Sequence, residues 1–117
     1  MPSTTSYKQG DVVLVPFPFT DLTATKQRPA LVISSDSLNA RGSDVVLLAI
    51  TSQIPVSLRP EEFLIPTADQ RACGLPKPSL LKLAKVITLH QSLVVKRLGS
   101  LPQSTFTRVV DQFHQQF

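Results

Sequence analysis

Between residues 10 and 89 the chain alternates short apolar runs with polar or proline-containing segments. Residues 10–17 carry apolar side chains at odd and even positions, as a strand covered on both faces requires. The runs at 29–33 and 45–50 are rich in β-branched residues and too short for buried helices. With a short run at 61–65 and a long one at 79–89, the pattern predicts at least five strands.

The hydrophobic period changes from residue 102 onward. Apolar residues now recur at intervals of three and four positions, which is the spacing of one face of an amphipathic helix. They are Phe106, Val109, Val110, Phe113 and Phe117. We therefore expect a C-terminal helix whose apolar stripe covers the sheet or a subunit interface.

Several short strands followed by one terminal helix predict a mainly β fold, a small curled antiparallel sheet or partly open barrel. The segments 20–27 and 35–44 are predicted connections, the second with one helical turn. A chain of 117 residues is the size of one small domain, so residues 1–117 are treated as a single unit. Prolines at 16 and 18 are expected to end the first strand, because proline cannot donate a ladder hydrogen bond.

Charge is unevenly distributed along the chain. Residues 1–69 carry five basic and seven acidic residues, whereas residues 70–117 carry seven basic residues and one acidic residue. This asymmetry favours a polyanion or an acidic protein as partner. The single cysteine, Cys73, cannot form an internal disulfide, and neither a signal peptide nor a membrane-spanning run is recognisable, so a cytoplasmic location without membrane contact is expected.

The residue types for metal or cofactor chemistry do not cluster in the sequence. His90 and His114 lie 24 positions apart, and Cys73 is solitary. Phosphate-binding, dinucleotide-binding and nucleophile-elbow motifs are also lacking. We expect no metal and no cofactor.

Three segments resemble the MazF/PemK family of toxin endoribonucleases: G-D-V at 10–12, R-P-A-L-V at 28–32 and I-T-S at 50–52. The resemblance implies an SH3-like small barrel of the MazF/CcdB toxin type. It further implies metal-independent, sequence-specific cleavage of single-stranded RNA to 2′,3′-cyclic phosphate and 5′-hydroxyl ends. The implied partners are RNA, a cognate antitoxin and a second copy of the chain, with DNA bound only by a toxin–antitoxin complex.

In the family, the matching arginine and threonine are catalytic, which assigns that role to Arg28 and Thr51. The chemistry of the residues agrees: a guanidinium stays cationic and donates two hydrogen bonds to phosphate, and a threonine hydroxyl can donate one more. The competing interpretation is structural, with Arg28 anchoring a loop by pairing with Asp21 or Asp36. The residue that removes the 2′-hydroxyl proton is left open.

Further residues are expected to contact RNA through phosphate, base edges or stacking. Phe19 is the candidate for base stacking, whereas strand parity places Phe17 in the core. Strand alternation predicts that Lys82 and Lys85 lie on opposite faces of their strand. The complete set of candidate RNA-binding residues is Phe19, Thr20, Lys26, Gln27, Ser52, Gln53, Lys77, Lys82 and Lys85.

Two other functions are compatible with the predicted barrel. One is a gyrase inhibitor similar to the CcdB proteins, but the chain ends in Gln-Gln-Phe and contains no tryptophan, unlike the ending of that group. The other is a catalytically inactive SH3-like binding module, in which Arg28 would have a structural role alone.

Overall fold

The computed structural model describes residues 6–17 and 26–117, except for the side chain of Phe17. Within these residues six strands form one sheet, and two α-helices and two single 3₁₀ turns connect or follow them. The strands are β1 (Asp11–Phe17), β2 (Lys26–Val32), β3 (Asp44–Thr51), β4 (Glu62–Leu64), β5 (Leu80–His90) and β6 (Lys96–Ser100). The helices are α1 (Asp36–Arg41) and α2 (Gln103–Gln116), and the 3₁₀ turns are Thr67–Asp69 and Gln91–Leu93.

All the strand pairs of the sheet are antiparallel, in the order β4-β5-β3-β2-β1-β6. β4 and β6 are edges, so the sheet curls without closing. The predicted mainly β fold with a C-terminal helix is confirmed. None of the helices in the described part of the chain is long and apolar enough to cross a membrane.

Two hydrophobic clusters occupy the two faces of the curled sheet. On one face, α2 packs Phe106 and Val109 against side chains that include Leu48 and Ile50. On the other face, small β-branched and aliphatic side chains fill the inside of the curl. These residues are Val13, Val15, Ala30, Val32, Val45, Leu47, Ala49 and Val94. Because both faces are covered, the central strands are apolar at odd and even positions, as the sequence pattern indicated.

The structure corrects two predicted element boundaries. β1 continues through Pro16 to Phe17, because its far end pairs only with β2 and so tolerates a residue without an N–H. Because this end of β1 pairs with β2, the predicted loop 20–27 ends early, and Lys26 and Gln27 already belong to β2.

The connection between β2 and β3 contains a helix, as expected. α1 begins after Ser35, whose hydroxyl accepts a hydrogen bond from the Leu38 N–H at 3.1 Å.

The hydrophobic pattern of the sequence does not reveal strand β6. Its five residues include two cations and a glycine and are exposed or half-buried, so they lack the apolar alternation that marks a strand. The strand forms because β1 offers it a partner edge.

Candidate functional site

Arg28 and Thr51 lie at the same end of neighbouring strands. The β2–β3 ladder pairs Ala30 with Ala49, and this register, continued by two residues, sets position 28 opposite position 51. Side chains two residues apart on a strand share a face, so both project on the face that holds Ala30 and Ala49. The two residues to which the family resemblance assigns catalysis are therefore brought together.

The β2–β3 ladder ends at Ala30 because of Pro29. Proline has no N–H to donate to the facing strand, and beyond this point β2 and β3 are not paired, which leaves a gap in the ladder. We call this gap the seam. Two cavities meet there, and both are lined by Arg28, Thr51 and Ser52.

The first cavity, which we call the lysine cavity, has a volume of about 310 Å³. Besides the three seam residues, its polar lining side chains are Gln53, Lys82 and Lys85. Two ammonium groups and one guanidinium around one cavity create a positive potential that attracts a phosphodiester. The structure thus joins the predicted catalytic pair to four predicted RNA contacts: Ser52, Gln53 and the two lysines.

The prediction that Lys82 and Lys85 lie on opposite faces is wrong, because β5 is irregular between them. Ala49 pairs with Lys82, whereas the preceding residue of β3, Leu48, pairs with Val86. The shift accommodates three extra residues in β5, which reverses the strand's parity. As a result both lysines line the lysine cavity.

The second cavity, which we call the leucine cavity, has a volume of about 390 Å³ and opens on the opposite face of the sheet. Its apolar wall includes Leu14, Leu75 and Leu98, and two lysines, Lys77 and Lys96, lie on its lining. Lys77 was a predicted RNA contact. Lys96 was not predicted as an RNA contact, because it lies in the strand that the hydrophobic pattern does not reveal. The only sequence signal for it is the excess of positive charge after residue 69.

The hydroxyl of Thr51 has a defined role as an acceptor within the protein. Its Oγ1 accepts a hydrogen bond from the backbone N–H of Gln53 at 3.1 Å. Because the oxygen is thus engaged as an acceptor, the hydroxyl proton is available for donation to a ligand in the seam. Thr51 is half-buried, which limits competition from water.

The other four predicted contact residues fall into two pairs. Phe19 and Thr20 lie outside the described residues. Lys26 and Gln27 are exposed on β2 and line neither cavity. The prediction that Phe17 is a core residue falls on a side chain that is likewise not described.

The remaining candidate chemistry lies elsewhere in the molecule. His90 does not line either cavity; its Nδ1 accepts a hydrogen bond from the Ser92 N–H at 3.1 Å, which caps a 3₁₀ turn. Within residues 6–17 and 26–117, no three His, Cys, Asp or Glu side chains form a metal-binding group. Cys73 is buried, and burial together with the nearby Asp69 carboxylate raises the pKa of its thiol to about 11.

Comparison with solved structures shows the same fold. MazF from Deinococcus radiodurans superimposes with a TM-score of 0.74 at 18% identity, covering 97% of both chains. A mycobacterial endoribonuclease, determined in complex with its cognate antitoxin, gives a TM-score of 0.74 at 16% identity over 94% of this chain and 93% of its own.

Sequence comparison gives the family. The endoribonuclease MazF2 of Mycobacterium bovis and the endoribonuclease MazF6 of Mycobacterium tuberculosis are each 33% identical to this chain over 85 residues, or 72% of both sequences. The family model of PemK-like, MazF-like toxins of type II toxin–antitoxin systems matches residues 8–117. With the match extending over nearly the whole chain and the fold shared, this protein belongs to the family of PemK-like, MazF-like toxins.

Proposed function

We propose that this toxin is a metal-independent, sequence-specific endoribonuclease that cleaves single-stranded RNA, and mRNA in particular, and thereby inhibits translation and growth. The observation that carries the proposal is the convergence of Arg28 and Thr51 at the seam, between two cavities that lysines line. No acidic residue is among the described residues lining either cavity, so a polyanion meets no repulsive charge there.

Cleavage through the ribose 2′-hydroxyl needs no protein nucleophile, because the substrate supplies the attacking oxygen. That oxygen bonds to phosphorus, the bond from phosphorus to the 5′-oxygen breaks, and the products are a 2′,3′-cyclic phosphate and a 5′-hydroxyl. Arg28 stabilises the extra negative charge on the phosphate oxygens through its fixed fork of N–H donors. Thr51 donates its hydroxyl proton as a hydrogen bond to the same group and helps to orient it.

In the proposed function, the same cationic surface is where a cognate antitoxin binds. An acidic, flexible segment that lies along the lysine cavity would neutralise it and exclude RNA, folding as it binds. Related toxins have been determined with their antitoxins, among them the MazE–MazF complex of Deinococcus radiodurans. We propose that this toxin acts in the cytoplasm as a homodimer and contacts DNA only when bound to its antitoxin.

The test is incubation of the purified protein with single-stranded RNA of mixed sequence in excess EDTA, beside an Arg28→Ala variant. We expect cleavage at a recurring sequence by the parent alone, with cyclic phosphate and 5′-hydroxyl ends identified by mass spectrometry. Circular dichroism of both proteins shows whether the variant is folded. If the folded parent cuts no RNA in EDTA, or leaves 5′-phosphate ends, the proposed mechanism is wrong.

A further inference from the structure

The two cavities that meet at the seam have different linings, and the difference indicates that they bind different parts of one ligand. The lysine cavity is lined by cations, hydroxyls and an amide besides Ala49 and Ile50. The leucine cavity presents a wall of aliphatic side chains, with polar groups around it. A nucleotide has the same two parts, since its phosphate is charged and its base has apolar faces and a polar edge.

The wall of the leucine cavity is built on three adjacent strands. Leu14 of β1 pairs with Lys96 of β6 on one side and with Pro29 of β2 on the other. Directly opposed residues in a sheet project on the same face, so these three side chains form one row. This row lies on the face opposite to Arg28 and ends at the seam.

A phosphate held by Arg28 and Thr51 would therefore have the leucine cavity beside it, around the end of the sheet. The base of the nucleotide that carries this phosphate, or the base of the next nucleotide, can enter the cavity and cover its aliphatic wall. At about 390 Å³ the cavity lies at the small end of the range for ligand pockets. Its size suits one base rather than a long segment of chain.

The polar groups of the cavity define which base edge they recognise. Lysine ammonium groups are donors only, so Lys77 and Lys96 pair with acceptors such as carbonyl oxygens. Lys96 is fixed by its strand pairing with Leu14. Lys77 lies between Pro76 and Pro78, and its carbonyl accepts a hydrogen bond from the Ser79 hydroxyl at 2.9 Å. Strand pairing at Lys96 and the flanking prolines at Lys77 thus hold the main chain beneath both side chains.

We propose that the leucine cavity is a nucleobase subsite beside the scissile phosphate, and that Lys96 makes it selective for uracil or guanine. At the position where uracil carries O4 and guanine O6, cytosine and adenine carry an amino group that cannot accept a hydrogen bond from a lysine, and guanine adds N7 as a second acceptor. The proposal rests on the proposed ribonuclease function. It assigns part of the sequence specificity to a lysine that has no role at the reacting phosphate.

The experiment first locates the cleaved sequence in randomised RNA and then varies each base beside the scissile bond. The oligonucleotides carry each of the four bases or an abasic nucleotide at one position, and kcat/KM is measured for each. We expect one position at which uracil or guanine is preferred about tenfold or more over the abasic nucleotide. In Lys96→Ala this preference should fall below about threefold, with preferences at other positions unchanged.

Two further variants make the result specific. Lys85→Ala removes a cation from the lysine cavity and should lower kcat/KM by the same factor for every oligonucleotide, because a phosphate contact carries no base information. Leu98→Ala shortens the aliphatic wall and should weaken the preference at the same position as Lys96→Ala does, with melting curves confirming that it is folded at the assay temperature.

A Lys96→Ala variant that slows all oligonucleotides equally, or that keeps the full preference, overturns the subsite. So does a parent enzyme that cleaves RNA but shows no uracil or guanine preference beside the scissile bond. These results leave the ribonuclease function standing. A parent that cleaves no RNA at all instead refutes the proposed function, and the subsite with it.

Discussion

Arg28 and Thr51 occupy one cross-strand row of the sheet, two residues beyond the last pair of the β2–β3 ladder, Ala30 and Ala49. The row explains how residues 23 positions apart in the chain come to line the same two cavities. Pro29, which follows Arg28, both fixes the backbone there and ends the ladder, so the pairing of β2 with β3 stops beside the proposed catalytic residues. The identity of one residue in the sequence, Pro29, thus accounts for the gap in the sheet at the candidate site.

We predict that Arg28→Lys is nearly as inactive as Arg28→Ala. A lysine keeps the charge but loses the planar fork that donates two hydrogen bonds to one phosphate. Single-turnover cleavage rates should fall about 10²- to 10³-fold in either variant, the range measured when one transition-state hydrogen-bond donor is removed. Full activity in Arg28→Lys would show that charge alone is needed at this position.

The hydroxyl of Thr51 is predicted to matter more than its methyl group. Its Oγ1 already accepts from the Gln53 N–H, so the proton is the part that a ligand can use. Thr51→Ser keeps the hydroxyl and should retain activity within about threefold, whereas the similarly sized Thr51→Val should lose about 10- to 100-fold. Equal rates in the two variants would assign Thr51 a role in packing alone, and thermal melts of both check that the strand end is intact.

Much of the fold was accessible from sequence because the core strands are apolar on both faces and α2 has a complete apolar stripe. Both features result from burial, and the periodicity of apolar residues in a sequence follows directly from which positions are buried. β6 has no such signal: it is an edge strand of mixed polarity whose existence depends on β1. The partner that stabilises it is about eighty positions away in the chain, so no local pattern reveals it.

Local sequence patterns reveal only part of the candidate site as well. The family resemblance identified Arg28 and Thr51, and the cross-strand register accounts for their meeting. The shared cavity of Lys82 and Lys85 could not be predicted, because it depends on a register shift in β5 that breaks the rule of alternation. The position of Lys96 beside the leucine cavity could be predicted only if strand β6 was already known. Side-chain convergence between distant strands was thus predictable where a motif existed and not where a sheet irregularity produced it.

The two lysines of the lysine cavity should contribute to RNA affinity through counterion release. An RNA with a 2′-deoxy substitution at the scissile ribose cannot be cleaved, so its dissociation constant can be measured over a range of salt concentrations by fluorescence anisotropy. Lys82→Ala and Lys85→Ala should each reduce the slope of log K against log salt by about 0.7, the value for one phosphate of a single strand. Arg41→Ala removes a cation that lines neither cavity and should leave the slope unchanged.

Cys73 should make the free energy of unfolding fall at alkaline pH. Burial and the Asp69 carboxylate raise the pKa of this thiol from 9.0 to about 11 in the folded state. Between these values the unfolded chain releases a proton that the folded chain keeps, so stability declines as the pH rises from 9 to 11. Two pKa units correspond to at most about 3 kcal/mol.

Urea titrations at several pH values measure this effect, with Cys73→Ala as the control. The rest of the chain is the same in both proteins, so the relevant quantity is the difference in slope between parent and variant. We expect the parent to lose stability more steeply than Cys73→Ala between pH 9 and 11. Parallel curves would show that the thiol titrates alike in the folded and unfolded chains.

Gly74 is predicted to be indispensable for the packing of the leucine cavity against β6. Its φ of +70° lies in the left-handed region, and a Cβ there would approach the carbonyl oxygen of Leu98 to 2.1 Å. Gly74→Ala therefore combines backbone strain with a clash against main-chain atoms, for which we expect a loss of about 2–4 kcal/mol in the free energy of unfolding.

Gly42→Ala is the matched control for this substitution. At Gly42 the nearest atom to an added Cβ is the Leu38 carbonyl oxygen at 3.4 Å, and φ is −107°, so alanine fits with little strain. We expect this variant to stay within about 1 kcal/mol of the parent in urea denaturation. If Gly74→Ala is no less stable than Gly42→Ala, the loop at 72–75 does not pack on Leu98 in solution, and that wall of the leucine cavity is not formed as described.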